Sequence, residues 1–542
     1  MGNFLIKIQT NSPIQIDIQK GHQPYFIQEN SDWKVIQIGH SASKEGSMLN
    51  HFDKAPFLAP EKIGKDCAYL AHRKADNTIF VARDPFGFIP IRYTRTGNAW
   101  IIWNGPKIPK NIYKRVNYER LSGFIAHRPD RLEEGYFVGI NRILPGHIVS
   151  FSKGRHAKTT SYRTFCPDAT YTQHSIDVCA DSLRHALKVA TPDSDLLALS
   201  GGLDSSAILV GMKKPKSFTM FSANFPSADE RKEVALLSDA FNLNTTYFNV
   251  DPNLLWRDQS KHPFNEENYA GYGPIFHPPV WGEQAFFHTM AKSGTGPIIT
   301  GIGGDNALDV STQVVARRLL KKGDFKALRC VASTYPSVVA KQMFTTPMRA
   351  LLPQKIKLKS NFRRDFPWLD YPLKAAQPFS QHWGEARRDR ILSWSWEQVT
   401  RLLDSHSRVI GRSILSPWMS SQVWNLMVAI PPEMLFLGER HKGFLRCAMK
   451  GYLPESIRNA GKSKHFGKPV EAQLLRFQKE ILALFEASLL DAKNLISASK
   501  FRTFFGGQLD EMQTHLHAQH ATQTMLSWPT ISAEIWLKHV ES

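Results

Sequence analysis

Two textures divide the chain. Up to about residue 165 the apolar residues come in short β-rich runs, among them VIQIGH (Val35 to His40), TIFVARD (Thr78 to Asp84), AWIIWNG (Ala99 to Gly105) and HIVSFSKG (His147 to Gly154), separated by Gly, Pro and Asn. Such runs between turn residues predict an antiparallel sheet domain, and no long helical period stands out there. From about residue 175 the period changes. SIDVCADSLRHALKVA (Ser175 to Ala190) carries apolar residues at helical spacing. After it LLAL (Leu196 to Leu199), FTMFSANF, TTYFNV and GPIITG read as four strands, with ADERKEVALLSDAF (Ala228 to Phe241) as a helix among them. Strand and helix in alternation predict a parallel sheet with helices on its faces. The remainder is mostly helical in pattern, with Trp and Phe anchors and a basic segment at Arg317 to Lys326. The expected organisation is a β-rich N-terminal domain over residues 1–165 and an α/β domain with a helical C-terminal part over 166–542.

The polar insert in LALSGGLDSSAILVG (Leu197 to Gly211) sits between two apolar blocks, which makes it a strand, a tight loop and a helix. Gly201 and Gly202 let the backbone turn and approach a ligand closely, and Ser205 or Ser206 is expected to open the helix, whose free N–H groups favour an anion. Asp204 would repel a bare polyphosphate. A divalent cation removes the conflict, since Mg2+ is held by one or two carboxylates plus phosphate oxygens. A second glycine-rich strand end, TGIGGDN (Thr300 to Asn306), supplies Asp305, so that two loops with one aspartate each fit a Mg-pyrophosphate held from both sides. A serine-capped turn and a flexible loop are the ordinary readings of each string alone, and their pairing sets those aside. The Gly-Lys-Ser at Gly461 to Ser463 is not a Walker A loop, because Ser456 stands where the leading glycine belongs.

Length and composition narrow the class. The 542 residues allow two or more domains, and a hydrophobic fraction of 42% is that of a globular protein. No long uncharged run could span a bilayer, and MGNFLIKIQT lacks a signal-peptide pattern, so a cytoplasmic location is expected. Five scattered cysteines without a C-x-x-C point to reduced, mostly buried thiols. The net charge of +20 favours a polyanionic or acidic partner, yet the basic residues are spread, and a solvated surface explains the charge equally well.

SGGLDSS and TGIGGDN, with FSANFPSADERKEV (Phe221 to Val234), resemble the ATP-pyrophosphatase (PP-loop) domain of asparagine synthetases and their relatives, the β-lactam synthetases and lasso-peptide macrolactam synthetases. VARDPFGFIPIRYT (Val81 to Thr94) and FVGINRILPGHIVSF (Phe137 to Phe151) resemble the Ntn-type glutaminase domain of class II amidotransferases. Glutamine-using members carry an N-terminal cysteine nucleophile, and here Gly2 follows Met1, so the resemblance implies a degenerate glutaminase-like domain without that activity. The amine is then expected to be already on the substrate. HPPVWGEQAFF (His277 to Phe287), AGKSKHFGKPV (Ala460 to Val470) and the tail TQTMLSWPTISAEIWLKHV are closest in character to lasso cyclases.

The resemblance implies that ATP and Mg2+ are used and assigns residues to them. Leu199, Ala223, Thr300 and Gly301 would contact the nucleoside, and Ser200, Gly201, Gly202, Asp204, Ser205 and Ser206 make up the ATP loop. Asp204 and Asp305 would hold Mg2+. A family lysine near the C-terminus stabilises the developing charge, and two compete for that place: Lys462 matches the upstream IRNAGK, whereas Lys464 has the better spacing to Phe466. Ala460 replaces the arginine usual before that lysine. Asp229, Glu230 and Arg231 read first as an acidic helix start. A precursor peptide is the expected substrate and a leader peptidase the expected partner, with no membrane or nucleic acid. Three alternatives stay open: a β-lactam-synthetase-like or ammonia-dependent amide ligase, an RNA-modifying PP-loop protein, and an inactive nucleotide-binding partner.

Overall fold

The computed structural model describes residues 3–8, 15–19, 25–39, 48–60, 66–110, 112–127, 132–152, 156–162, 165, 176–250, 271–275, 282–308, 312–334, 339–340, 343, 366–371, 387–431, 434, 441–461, 465–515 and 526–541. The front part is a sandwich of two antiparallel sheets. One runs in the order Gln15–Gln19, Asn3–Ile8, Ala99–Asn104, Ile91–Thr96, Asn141–Arg142, and the other in the order Lys158–Ser161, His147–Phe151, Thr78–Ala82, Ala68–Arg73, Trp33–Ile38, Tyr25–Glu29.

The alternation of side chains explains why these strands are apolar on both faces. Along Thr78–Ala82, Ile79 and Val81 enter the core between the sheets, while Phe80 and Ala82 enter a second core outside, with Met48 and Phe52 of the helix Met48–Lys54. Leu70 and Tyr69 split in the same way, as do Ile36 and Val35. In the other sheet Trp100 and Ile102 face inward. Ile101 and Trp103 face outward into a core shared with Trp528, Ile531 and Trp536 from the end of the chain. The front sandwich is therefore packed onto the C-terminal helices.

The third sheet is wholly parallel, in the order Thr245–Asn249, Lys216–Phe221, Leu196–Ala198, Ile298–Thr300, Ile414–Leu415. Four of these strands are the ones expected. The fifth, Ile414–Leu415, is too short to show a period, and it exists because its two residues pair with Ile298 and Ile299. Leu197 and Ile299 point to one face, into a core with Leu183 and Trp424; Leu196, Ile298 and Phe218 point to the other, with Phe287 and Leu403. The expected helices form at Ile176–Ala190 and Arg231–Phe241.

One further correction concerns the same region. Neither Ser205 nor Ser206 opens its helix: Leu203–Leu209 begins two residues earlier, with extended Gly202 as its cap. Cys67 and Cys179 are buried as expected, whereas Cys447 is exposed. The expected domain border at 165/166 runs into residues outside the described ones, and the two parts are joined by more than that border. Phe86 of the front unit inserts into the core of the parallel-sheet unit, and its carbonyl accepts a hydrogen bond from Trp396 Nε1 at 2.8 Å. No described helix is long and apolar enough to cross a membrane.

Candidate functional site

The central strand Leu196–Ala198 pairs in parallel with Ile298–Thr300 in the register Leu196 to Ile298, Leu197 to Ile299, Ala198 to Thr300. Equal register makes both chains leave the sheet at the same level, so the loop at Leu199–Gly202 stands beside the loop at Gly301–Gly304. After the central strand the chain builds outward on one side, then returns to the other. This pair of strands is thus the point where the winding reverses, and ligands of open parallel sheets bind in the crevice there.

Glycines set how closely the two loops approach. A Cβ on Gly301 would lie 2.7 Å from Ser205 N, and one on Gly304 would lie 2.4 Å from Asp204 Cγ. A Cβ on Gly201 would meet Glu233 Cβ at 2.5 Å, so the helix Arg231–Phe241 closes on the loop from the other side. Gly303 has φ +91°, a left-handed conformation that side chains rarely take, and rests on Met419.

Within the first loop Ser205 Oγ accepts from Ser200 N at 3.0 Å and lies 2.9 Å from Ser200 Oγ, and Gly202 N donates to Ser200 Oγ at 3.2 Å. Ser200, Gly202 and Asp204 are half-buried, while Gly201, Ser205 and Ser206 are buried. Ser206 Oγ donates back to Gly202 O at 2.8 Å, and Ser205 Oγ donates to Ser200 O at 3.1 Å. Leu199 and Thr300 are buried in the sheet ends, where Leu199 N bonds Phe218 O and Thr300 Oγ1 reaches Leu415 O. Ala223 is exposed beyond the second strand, its N–H held by Asn249 Oδ1 at 3.1 Å.

The loops converge on one cation. Lys442 Nζ donates to Asp204 Oδ1 at 2.8 Å and Oδ2 at 2.7 Å, and lies 2.6 Å from Asp305 Oδ1. Burial works against its charge, but the Asp204 and Asp305 carboxylates outweigh burial and hold Lys442 above the ordinary lysine value. Nothing in the sequence around it, HKGFLR, marks Lys442, which reaches Asp204 across 238 positions. Trp418 was equally illegible: its indole Nε1 donates to Asp204 O at 3.0 Å and fixes the start of the helix. Glu230 fills more than the helix start expected of it. Its Oε2 accepts from Gly201 N at 3.2 Å, placing a carboxylate on a loop N–H of the kind that binds phosphate.

Lys462 and Lys464 lie outside the described residues, as does His277. Their neighbour His465 is described, and its N–H donates to Ser227 O at 2.7 Å, just beyond the second parallel strand. Among the described residues no three His, Cys, Asp or Glu side chains gather as a metal site. The pair Asp204 and Asp305 nonetheless fits Mg2+ as a nucleotide would bring it. Two carboxylates already aim at one cation position, and phosphate oxygens would complete the set.

Comparison with known proteins shows which family the chain resembles. The family model described as asparagine synthase matches residues 181–538. Asparagine synthetase (glutamine-hydrolyzing) 3 of Bacillus subtilis (strain 168) is 24% identical over 557 aligned residues, covering 91% of this chain and 87% of that protein. Asparagine synthetase (glutamine-hydrolyzing) 1 of the same organism is 22% identical over 517, covering 84% and 78%. A solved structure of the allosteric regulatory enzyme of purine biosynthesis aligns with 46% of this chain and 74% of its own, at 10% identity and a TM-score of 0.18, too slight a likeness to carry weight.

Proposed function

The chain belongs to the asparagine synthase family, whose members are ATP-dependent, AMP-forming amide ligases, and on that footing we propose that it closes a peptide into a macrolactam. In this reading ATP adenylates an Asp or Glu side-chain carboxylate of a precursor peptide, pyrophosphate leaves, and the peptide's own N-terminal amine displaces AMP. The observation that carries the ATP half is the convergence of Asp204, Asp305 and Lys442 beside the loop at Ser200–Gly202.

The residues divide the work physically. Asp204 and Asp305 would hold Mg2+, which neutralises charge on the pyrophosphate when it is bound. Lys442, displaced from between the carboxylates, remains within reach of the same oxygens as a fixed positive charge for the departing pyrophosphate. Gly201 and Gly202 present loop N–H groups, and Glu230 must release that of Gly201 before a phosphate oxygen can take it. The peptide's amine then needs only to be held against the acyl carbon, where orientation lowers the barrier by roughly 7–11 kcal/mol.

Support for an amine on the substrate, rather than ammonia from glutamine, comes from the front unit. Its described cysteine, Cys67, is fully buried, with Sγ packed under Gly39, so among the described residues that unit offers no thiol able to reach a glutamine amide. The neighbouring reading is an ammonia-dependent or β-lactam-forming ligase that uses the same ATP site. Incubation with ATP, Mg2+ and a leader-trimmed peptide encoded beside this gene separates them. The macrolactam reading expects AMP, pyrophosphate and a product lighter by one water that resists aminopeptidase. Product that appears only with added ammonium or glutamine replaces it by the amidating reading, and ADP in place of AMP removes both.

A further inference from the structure

Residues 416–421 touch both aspartate loops and then open the helix Ser421–Ala429. Trp418 Nε1 donates to Asp204 O, and the Met419 side chain lies under Gly303, where a Cβ would come 2.6 Å from its Cγ. Val423, Trp424, Leu426 and Met427 of the helix are buried in one core with Ala307 and Leu308 of the helix Gly304–Leu308, which carries Asp305 in its first turn. The position of this helix N-terminus therefore sets where Trp418 and Met419 meet the two loops.

Two contacts fix that N-terminus. One is local: Ser420 Oγ donates to Pro417 O at 2.8 Å and accepts from Val423 N at 3.4 Å, while Met419 N donates to Ser416 O at 3.0 Å. The other comes from the front unit, 355 positions away. Asp66 Oδ2 accepts from Ser421 N at 2.8 Å, and the Ser421 hydroxyl donates to Asp66 Oδ1. A helix start leaves N–H groups without partners inside the helix and carries a partial positive charge, and a carboxylate answers both. Asp66 is itself fixed by the sandwich, since the strand Ala68–Arg73 begins just after it and the intervening Cys67 is buried, its Sγ packed under Gly39. A second tie reaches the same loop. Phe86 O accepts from Trp396 Nε1 at 2.8 Å, and Trp396 lies 3.4 Å from a Cβ built on Gly303.

We propose that Asp66 is a positioning residue for the ATP site: through Ser421 it holds Trp418 on Asp204 and Met419 under Gly303, so that the front unit sets the spacing of the two carboxylates that take Mg2+. Coupling between units travels through contiguous packed and hydrogen-bonded groups, and Asp66, Ser421, Ser420, Met419 and Trp418 form such a chain. The front unit then has a use that needs no nucleophile, because it braces the loops. The alternative is a cap that serves stability alone. The inference rests on Asp204 and Asp305 as ligands of Mg–ATP, and not on the identity of the peptide.

The test measures binding of Mg–ATP to the whole chain by calorimetry, without peptide, at a temperature where circular dichroism shows each variant folded. Asp66→Ala should raise the Kd about tenfold, the lower end of what partners behind metal ligands contribute. Asp66→Asn, which keeps an acceptor for Ser421 N and sets an amide donor before Ser421 Oγ, should stay near native. Asn117→Ala removes an unrelated helix cap, the 3.1 Å bond from Arg120 N, and should lower the melting temperature with the Kd unchanged. Ser421→Ala deletes only the hydroxyl contact and should raise the Kd roughly threefold, which decides the question where Asp66→Ala does not fold. An unchanged Kd in folded Asp66→Ala, or in Ser421→Ala where Asp66→Ala fails to fold, overturns the proposal, as does a rise of equal size in Asn117→Ala. A native chain that does not bind Mg–ATP at all overturns the ATP site itself, and the role of Asp66 with it.

Discussion

Replacing Lys442 by Met keeps the length of the side chain and removes the charge that bridges Asp204 and Asp305. At an effective dielectric of about 20, a unit charge roughly 3.5 Å from a carboxylate is attracted by about 5 kcal/mol before desolvation. Two features reduce that sum. Asp305 is 71% exposed, so its share is screened to about 1 kcal/mol or less. Lys442 and Asp204, at 14% and 17% exposure, regain less than their attraction because both give up water. A net loss of about 2 kcal/mol remains for the metal-free protein, read as a lower melting temperature in EDTA. The sign reverses for divalent cations. In the native protein a metal must first displace an ammonium group; in Lys442→Met it meets two unneutralised carboxylates. Without ATP, Mn2+ should therefore bind the variant roughly 30-fold more tightly, the equivalent of the same 2 kcal/mol, and saturating Mg2+ should restore the melting temperature. ATP–pyrophosphate exchange should still fall, since the fixed charge is gone. Unchanged Mn2+ affinity together with unchanged melting in EDTA would refute the bridge. Because the folded pKa of Lys442 is raised, its stabilisation is present below the ordinary lysine value and is lost only as pH climbs past the folded one. The stability difference between native protein and variant should then stay flat from about pH 6 to pH 9.

Other substitutions probe the same geometry. Asp204→Asn and Asp305→Asn should each cut ATP–pyrophosphate exchange by on the order of 100-fold while circular dichroism stays native, because each removes a metal ligand at constant volume; exchange within a few-fold of native in both ends the metal assignment. Gly301→Ala drives a methyl to 2.7 Å from Ser205 N and should cost about 1–3 kcal/mol of stability and raise the KM for ATP, read by denaturant unfolding and initial rates. Trp418→Phe leaves the Asp204 carbonyl without its indole donor and should cost about 1–3 kcal/mol, with a weaker hold on ATP. Glu230→Gln takes the charge off Gly201 N and should tighten ATP binding measured without catalysis; weaker binding would mean that Glu230 positions the loop rather than competing for it.

Local pattern carried most of the architecture. Period-two runs such as TIFVA specify strands with two apolar faces, and the alternation of LLA, KSFTMF, TTYFN and IIT with helical segments specifies the parallel sheet. SGGLDSS and TGIGGDN point to a chemistry because glycine, serine and aspartate together at a strand end suit a phosphate and its metal far better than they suit packing, and the family match over residues 181–538 spans both loops. What the sequence could not state was who meets whom. Ile414–Leu415 is a strand only through pairing with Ile298–Ile299, and Lys442 and Trp418 are ordinary residues until folding sets them on Asp204. The hold of Asp66 on Ser421 likewise spans 355 positions, and Asp66 by itself reads as a solvated charge. Strand period and loop chemistry are written within a few neighbouring residues, so they survive in one dimension. Ion pairing and capping across the units depend on distances between segments hundreds of residues apart, which exist only once the sheet register and the packing of the two units have fixed them.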